Sequence, residues 1–241
     1  MKNLIYKLIQ YFKMFFEVFY PGYYSENCRA IKRVLKNNDI TLKVIYDVGC
    51  FKGQWYKQRK KTFPDAEYFY LFDAQNLISS ELLKDKAKFF NVVLGSIEGE
   101  QVSFWQDGGS GSSYFKEIGN TLWNNVEPEI VNTKTLKALI NENSLKKPNY
   151  LKIDTQSSEI EILKGLEEII NYESLYFIEL EISLYQINEG APTIKEVIDF
   201  MSMNNFLLIS TEQLPIVEYF NEKKLVQLNG IFAQRKLITI R

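Results

Sequence analysis

Short apolar runs rich in branched and aromatic residues alternate along this chain with segments whose apolar residues recur every three or four positions. The runs Lys43 to Val48, Tyr68 to Asp73, Phe89 to Leu94, Tyr150 to Asp154 and Ser174 to Ile182 read as buried strands. Phe206 to Ser210 and Lys224 to Gln234 close the series as two further strands. Helical spacing marks Ser25 to Lys36, Gln54 to Thr62, Leu77 to Lys84, Thr133 to Asn141, Ser158 to Ile170 and Thr193 to Met203. After Gly99, Gln101 to Trp105 suggests a hairpin or edge strand. Alternating β and α units predict an α/β fold, a mainly parallel sheet with helices on both faces. No internal repeat interrupts it. Residues 1–36 read as an N-terminal helical extension and 37–241 as one domain, which suits a chain of 241 residues.

Residues 1–20 are basic and strongly apolar, with Leu4, Ile5, Leu8, Ile9, Phe12, Phe15, Phe16 and Phe19 at helical spacing. Lys2, Lys7, Gln10, Lys13 and Glu17 interrupt the run, so it falls short of a spanning helix, and no small-residue cleavage site follows. Two readings stay open: packing on the domain or a partner subunit, as in a homo-oligomer, and peripheral contact with a membrane interface. Farther along, residues 107–113 (DGGSGSS) form a loop by composition, either a plain connection or a lid over substrate.

Composition narrows the chemistry. The chain is 46% hydrophobic and 24% charged with a net charge of −1, so nothing pulls it globally toward nucleic acid. No basic stripe with interleaved aromatics appears within the catalytic region either, which argues against a nucleic-acid partner. The chain has no histidine, which excludes imidazole bases and His zinc sites and leaves Asp, Glu, Lys, Tyr or Cys as the base. Two cysteines without a C-x-x-C pair make neither a disulfide framework nor a zinc site. The expected setting is cytoplasmic, with the inner face of a membrane as the alternative for residues 1–20.

The most informative stretch is Lys43 to Gly53 (KVIYDVGCFKG), where a strand runs into two glycines ahead of a helix. Gly49 and Gly53 permit a tight turn and close backbone approach to a ligand, and Asp47 closes the strand. Twenty positions after Gly53 stands Asp73, where nucleotide-binding units carry their ribose partner. Phe51 takes the middle place of the turn, so the G-x-G-x-x-G diphosphate loop is absent. An acidic strand end with a glycine turn instead suits S-adenosylmethionine, whose ammonium Asp47 would meet. A bare turn cap is the alternative for Asp47.

Two motifs carry a family resemblance. Asp47 to Gly53 (DVGCFKG) resembles the D-V-G-A-N-x-G turn of FkbM-type S-adenosylmethionine-dependent methyltransferases. Tyr150 to Gly165 (YLKIDTQSSEIEILKG) is similar to that family's L-K-I-D-x-Q-G-x-E-x-x-x-L-x-G signature. Asn132 to Leu136, Glu179 to Glu181, Leu184 with Tyr185, Gly190 with Pro192, and Gln227 to Phe232 add shorter matches. The likeness runs from about Lys43 to Arg235. Departures are Cys50 and Phe51 in the turn, Asp73-Ala-Gln where Glu-Pro is usual, and Ser157 in place of a glycine. If that last position needs positive φ, serine is strained there.

The resemblance implies a Rossmann-like class I methyltransferase sheet with an antiparallel strand near the C-terminus. It also implies S-adenosylmethionine as cofactor and methyl transfer to a hydroxyl, with a small molecule or glycan as acceptor, often in polysaccharide biosynthesis. The cofactor-binding candidates are Asp47, Gly49, Cys50, Gly53, Asp73, Ala74, Val93 and Asp154. Asp154 is the leading site carboxylate, as base or metal ligand. Lys152, two residues earlier on the same side of the strand, would hold it or neutralise developing charge. Glu179 or Glu181 would supply a second carboxylate, and the pair would hold a divalent cation in the alternative reading. Gln156 and Glu159 are expected to orient the turn and cap the next helix. A nucleotide-sugar or NAD-dependent enzyme and a non-catalytic cofactor-binding domain remain as competing functions.

Overall fold

The computed structural model describes residues 25–84, 87–106, 111–118, 127–214, 217–219 and 222–238. Segment 1–20 and positions 107–110 of the Gly/Ser loop lie outside them.

Helix α1 (Glu26–Asn38) starts at Ser25, whose side chain accepts the Cys28 N–H, and stops at Asp39 in the left-handed region. Strand β1 (Val44–Val48), buried at every position, feeds α2 (Gln54–Thr62) and then β2 (Tyr68–Asp73) and β3 (Ala87–Asn91). Strands β4 (Gln101–Phe104) and β5 (Glu129–Asn132) form a separate antiparallel ribbon. Next come α3 (Leu136–Glu142), β6 (Tyr150–Ile153), α4 (Glu159–Lys164), β7 (Phe177–Ser183) and α5 (Ile194–Met203). A capping box between Thr193 and Glu196 opens α5. Strand β8 (Phe206–Gln213), a small ribbon of β9 (Val217–Tyr219) and β10 (Glu222–Lys224), and β11 (Gln227–Gln234) complete the order.

The main sheet runs β3-β2-β1-β6-β7-β11-β8. Strands β3, β2, β1, β6 and β7 are parallel, and β11 is antiparallel to both its neighbours. This is the sheet that the resemblance implies, mainly parallel with the antiparallel strand near the C-terminus. Strand order reverses between β1 and β6, which opens a crevice beyond their carboxyl ends. Period-two alternation divides the interior between two cores. Val44, Tyr46, Val48, Leu151 and Ile153 pack with α3, α4 and α5, whereas Ile45, Tyr150 and Phe177 pack with α1 and α2. By the same parity Asp47, Lys152 and Glu179 fall on the α1–α2 side.

Several expectations change. Leu77 to Lys84 is not an α-helix; it keeps one 3-10 turn, Leu82–Lys84, with i→i+3 bonds from the Leu82 and Leu83 N–H groups to Ser79 and Ser80. Adjacent serines disfavour a helix interior, and the segment is too short to nucleate one. The third strand stops at Asn91, because its last bond, Val92 N–H to Asp73 O, meets the end of β2. The helix expected over 158–170 breaks at Gly165 and resumes as a 3-10 helix, Glu167–Asn171, with Glu167 at φ 49. A β-carbon at Gly165 would lie 2.2 Å from Gly95 O, so the break is where the chain presses on its neighbour. The run 224–234 divides between β10 and β11. Among the described residues no helix is long and apolar enough to cross a membrane.

Candidate functional site

The turn after β1 is tied to the end of β2. The N–H groups of Gly49 and Cys50 both donate to Phe72 O, and the Phe51 N–H donates to Asp73 Oδ2 at 2.7 Å. Asp73 Oδ1 accepts the Gln75 N–H at 2.8 Å. Gly49 and Gly53 adopt φ 72 and 76, and so does bulky Phe51 at φ 47. Asparagine tolerates that region far better than phenylalanine.

A cleft of about 560 Å³, its open mouth included, lies over the switch point. Gly49, Asp73 and Asp154 line its polar side, and Val92, Val93, Phe104 and Ile162 its apolar wall. Ala74 lines it too. Ser112 and Ser113 cover it: Gln75 Nε2 donates to Ser112 Oγ at 2.9 Å, and Ser113 Oγ donates to Gln156 O at 2.7 Å. The described end of the Gly/Ser loop therefore closes on the cleft.

Beneath the cleft Lys152 Nζ lies 3.1 Å from Asp47 Oδ1, 3.3 Å from Asp154 Oδ2 and 3.0 Å from Gly49 O. Burial opposes charge on Lys152, but attraction to Asp154 and Asp47 outweighs it and holds the ammonium above its ordinary range. Asp47 is 0% exposed, and its two oxygens accept no aligned hydrogen bond among the described residues. It faces Lys152 and does not line the cleft. Asp154, with a side chain 34% exposed, does. Glu179 is buried beside Lys152, its register partner on β6, accepting from the Tyr150 hydroxyl and standing 3.6 Å from Arg59 Nη2.

Past β6 the loop turns sharply, with Gln156 at φ 54 and Ser157 at φ 87. Glu159 organises it: Oε1 accepts the Thr155 N–H at 2.9 Å and the Ser157 N–H at 3.3 Å. Burial pushes the Glu159 carboxyl up to about 7, against those backbone bonds.

With this geometry in place, comparison identifies the family. The Methyltransferase FkbM domain matches residues 20–208. The chain belongs to the FkbM methyltransferase family. The FkbM match takes in α1, which lay outside the sequence resemblance, and ends inside β8, short of β11. No curated protein matches the chain. Among solved structures, the FkbM methyltransferase of Methylobacillus flagellatus KT is 12% identical with a TM-score of 0.45, over 79% of this chain and 43% of that one. The present chain thus spans less than half of that protein. The precorrin-6y C5,15-methyltransferase of Geobacter metallireducens GS-15 is 10% identical with a TM-score of 0.43, covering 84% and 86%. Magnesium protoporphyrin IX methyltransferase of Synechocystis PCC 6803, solved with bound SAM, is 9% identical with a TM-score of 0.46, covering 86% and 77%.

Of the residues expected around a cofactor, this FkbM chain brings Gly49, Asp73, Ala74, Val93 and Asp154 to the cleft wall. Asp47, Cys50, Gly53, Lys152 and Glu179 stand outside that wall: Cys50 is buried with the α1–α2 core, and Gly53 packs toward Leu82. Phe104, Thr155, Ser158 and Ile162 line the cleft without having been expected there. Thr155, Ser158 and Ile162 fall inside the Tyr150–Gly165 motif, and the loop serines follow a glycine-rich stretch, whereas Phe104 carried no signal. Among the described residues no group of three or more Cys, Asp or Glu side chains is placed to hold a metal ion.

Proposed function

We propose that this FkbM domain is an S-adenosylmethionine-dependent O-methyltransferase acting on a hydroxyl of a sugar or related biosynthetic intermediate. The observation that carries the reading is Asp73. Its two oxygens each accept one backbone N–H at the mouth of the switch-point cleft. A carboxylate has about four lone-pair sites, so two remain for the vicinal hydroxyls of a ribose. Val92, Val93, Phe104 and Ile162 give a purine an apolar wall, and Gly49 leaves room for close backbone approach. The residues present fit the cofactor. With Phe51 filling the turn, a diphosphate has no cradle, which favours this reading over NAD or a nucleotide sugar.

When bound, S-adenosylmethionine supplies an already activated methyl group. The protein's part is to position an acceptor and relieve it of a proton. Asp154, exposed at the cleft beside Thr155, takes that proton. Lys152 fixes the carboxylate from below and ties it to the Gly49 carbonyl. Ser112 and Ser113 narrow the opening to water. The preference for a sugar hydroxyl rests on the family resemblance.

Thermal unfolding in the presence of S-adenosylhomocysteine, NAD⁺ or a nucleotide sugar tests the cofactor class. Ligand at a hundred times its Kd adds about 2.7 kcal/mol, a rise of roughly 5–10 °C for a chain of this size. The rise is expected with S-adenosylhomocysteine alone. A rise only with NAD⁺ or the nucleotide sugar overturns the reading.

A further inference from the structure

The carboxyl edge of the sheet continues past the cleft over β6, β7 and β11, where one polar cluster keeps acceptor oxygens that the fold does not use. Glu181 Oε2, on β7, accepts hydrogen bonds from Gln156 Nε2 at 2.9 Å and Gln227 Nε2 at 2.8 Å. All three side chains are half-buried. Among the described residues Glu181 Oε1 and the two glutamine amide oxygens accept no hydrogen bond. The β7–β11 ladder does not need these side chains, since it is complete through its backbone pairs.

The cluster adjoins the cleft. Burial, and then repulsion from Asp154, push the Glu181 carboxyl well above the ordinary carboxylate range. Gln156 reaches Glu181 from a left-handed backbone at φ 54, with Ser113 holding its carbonyl at 2.7 Å. Non-glycine residues held in that region are strained and concentrate at ligand sites. Among the described residues no cation pairs with the cluster, and Lys152, whose charge reaches Glu181, is committed to Asp47, Asp154 and Gly49. An anionic acceptor would find no cation left to pair with there among the described residues. Neutral hydroxyls donate, as the free amide and carboxyl oxygens here require.

We propose that Gln156, Glu181 and Gln227 form the acceptor subsite, and that it takes a neutral molecule presenting adjacent hydroxyl groups, one of them directed at Asp154. The proposal rests on the methyltransferase reading, in which Asp154 lies between this subsite and the cofactor.

Saturation-transfer NMR on the full chain loaded with S-adenosylhomocysteine tests it. The probes are methyl α-D-glucopyranoside and methyl α-L-rhamnopyranoside, with benzyl alcohol and ethanolamine as controls. Both glycosides are expected to give signal that falls at least fivefold in Glu181→Ala and in Gln227→Ala and persists in Glu181→Gln. Calorimetric affinity for S-adenosylhomocysteine is expected to change less than twofold, which also reports that the variants fold. Should Glu181→Ala fail to fold, Gln227→Ala carries the test alone. Glycoside signal unchanged in the folded variants, no glycoside signal on the loaded wild type, or signal from benzyl alcohol or ethanolamine alone overturns the subsite. A wild-type chain that does not take S-adenosylhomocysteine overturns the methyltransferase reading itself.

Discussion

Gly49 packs so tightly on the main chain of Asp154 that a β-carbon there would stand 1.8 Å from the Asp154 carbonyl oxygen. Its φ of 72 adds a second obstacle to any side chain. Gly49→Ala is therefore expected to force β1 and β6 apart at the point where the cleft opens. The left-handed backbone and the overpacking together should cost roughly 2–5 kcal/mol in urea unfolding, and binding of S-adenosylhomocysteine should be lost. Stability within about 1 kcal/mol of wild type would mean that the turn is looser than this packing.

Lys152 joins Asp47, Asp154 and Gly49, and its side chain is only 7% exposed. Removing it leaves Asp47 buried without a counter-charge. Lys152→Met is expected to destabilise by about 3–5 kcal/mol. Adding Asp47→Asn should recover part of that loss, so the double variant costs less than the two single ones together. Additive costs would show that the two side chains do not act as a pair.

Ser157 sits at φ 87 with a buried hydroxyl that has no hydrogen-bond partner among the described residues. Ser157→Gly relieves both penalties and should raise stability by about 1–2 kcal/mol after the entropy cost of glycine. On a chain of this size that is a rise in Tm of roughly 2–8 °C. Ser157→Ala removes the hydroxyl and keeps the strain, so it should gain less. Equal gains would assign the whole effect to the hydroxyl.

Glu159, pushed up to about 7 by burial, makes stability depend on pH. The folded state holds the proton more tightly than the unfolded state, whose carboxyl titrates near its ordinary value. Stability should therefore be highest in mild acid and fall as pH rises from about 4.5 to about 7, by on the order of 3 kcal/mol. Urea unfolding between pH 5 and pH 8 should show that fall, and Glu159→Gln should flatten it. Glu181 and Asp73, also raised by burial, leave a residual slope of the same sign. A slope identical in wild type and Glu159→Gln would remove Glu159 from the account.

The parallel core was legible because β1, β2, β6 and β7 are largely buried, and burial leaves a mostly apolar run, unbroken from Phe69 to Phe72. Strand β5 carried no such mark. Among the described residues it pairs with β4 alone and is largely exposed, with Ile130 at 61%, so neither alternation nor an apolar run announces it. In the site, the spacing from Gly53 led to Asp73, which lines the cleft. Asp47 also closes a strand beside glycines, yet strand parity turns it inward to Lys152. Sequence shows that a carboxylate ends a strand; which side it faces, and what already neutralises it, depends on β6 being the neighbour. The positive φ of Ser157 was foreseeable because the family motif holds glycine there. The bond from Lys152 to Gly49 O joins residues far apart in the chain and left no local trace.

The most direct measurement is calorimetric titration of S-adenosylhomocysteine into wild type, Asp73→Ala and Asp47→Asn. The account predicts binding to wild type, a loss of at least about tenfold in Asp73→Ala, equivalent to about 1.4 kcal/mol, and little change in the affinity of folded Asp47→Asn. No binding to wild type, or Asp73→Ala binding as tightly as wild type, would contradict the assignment of this cleft.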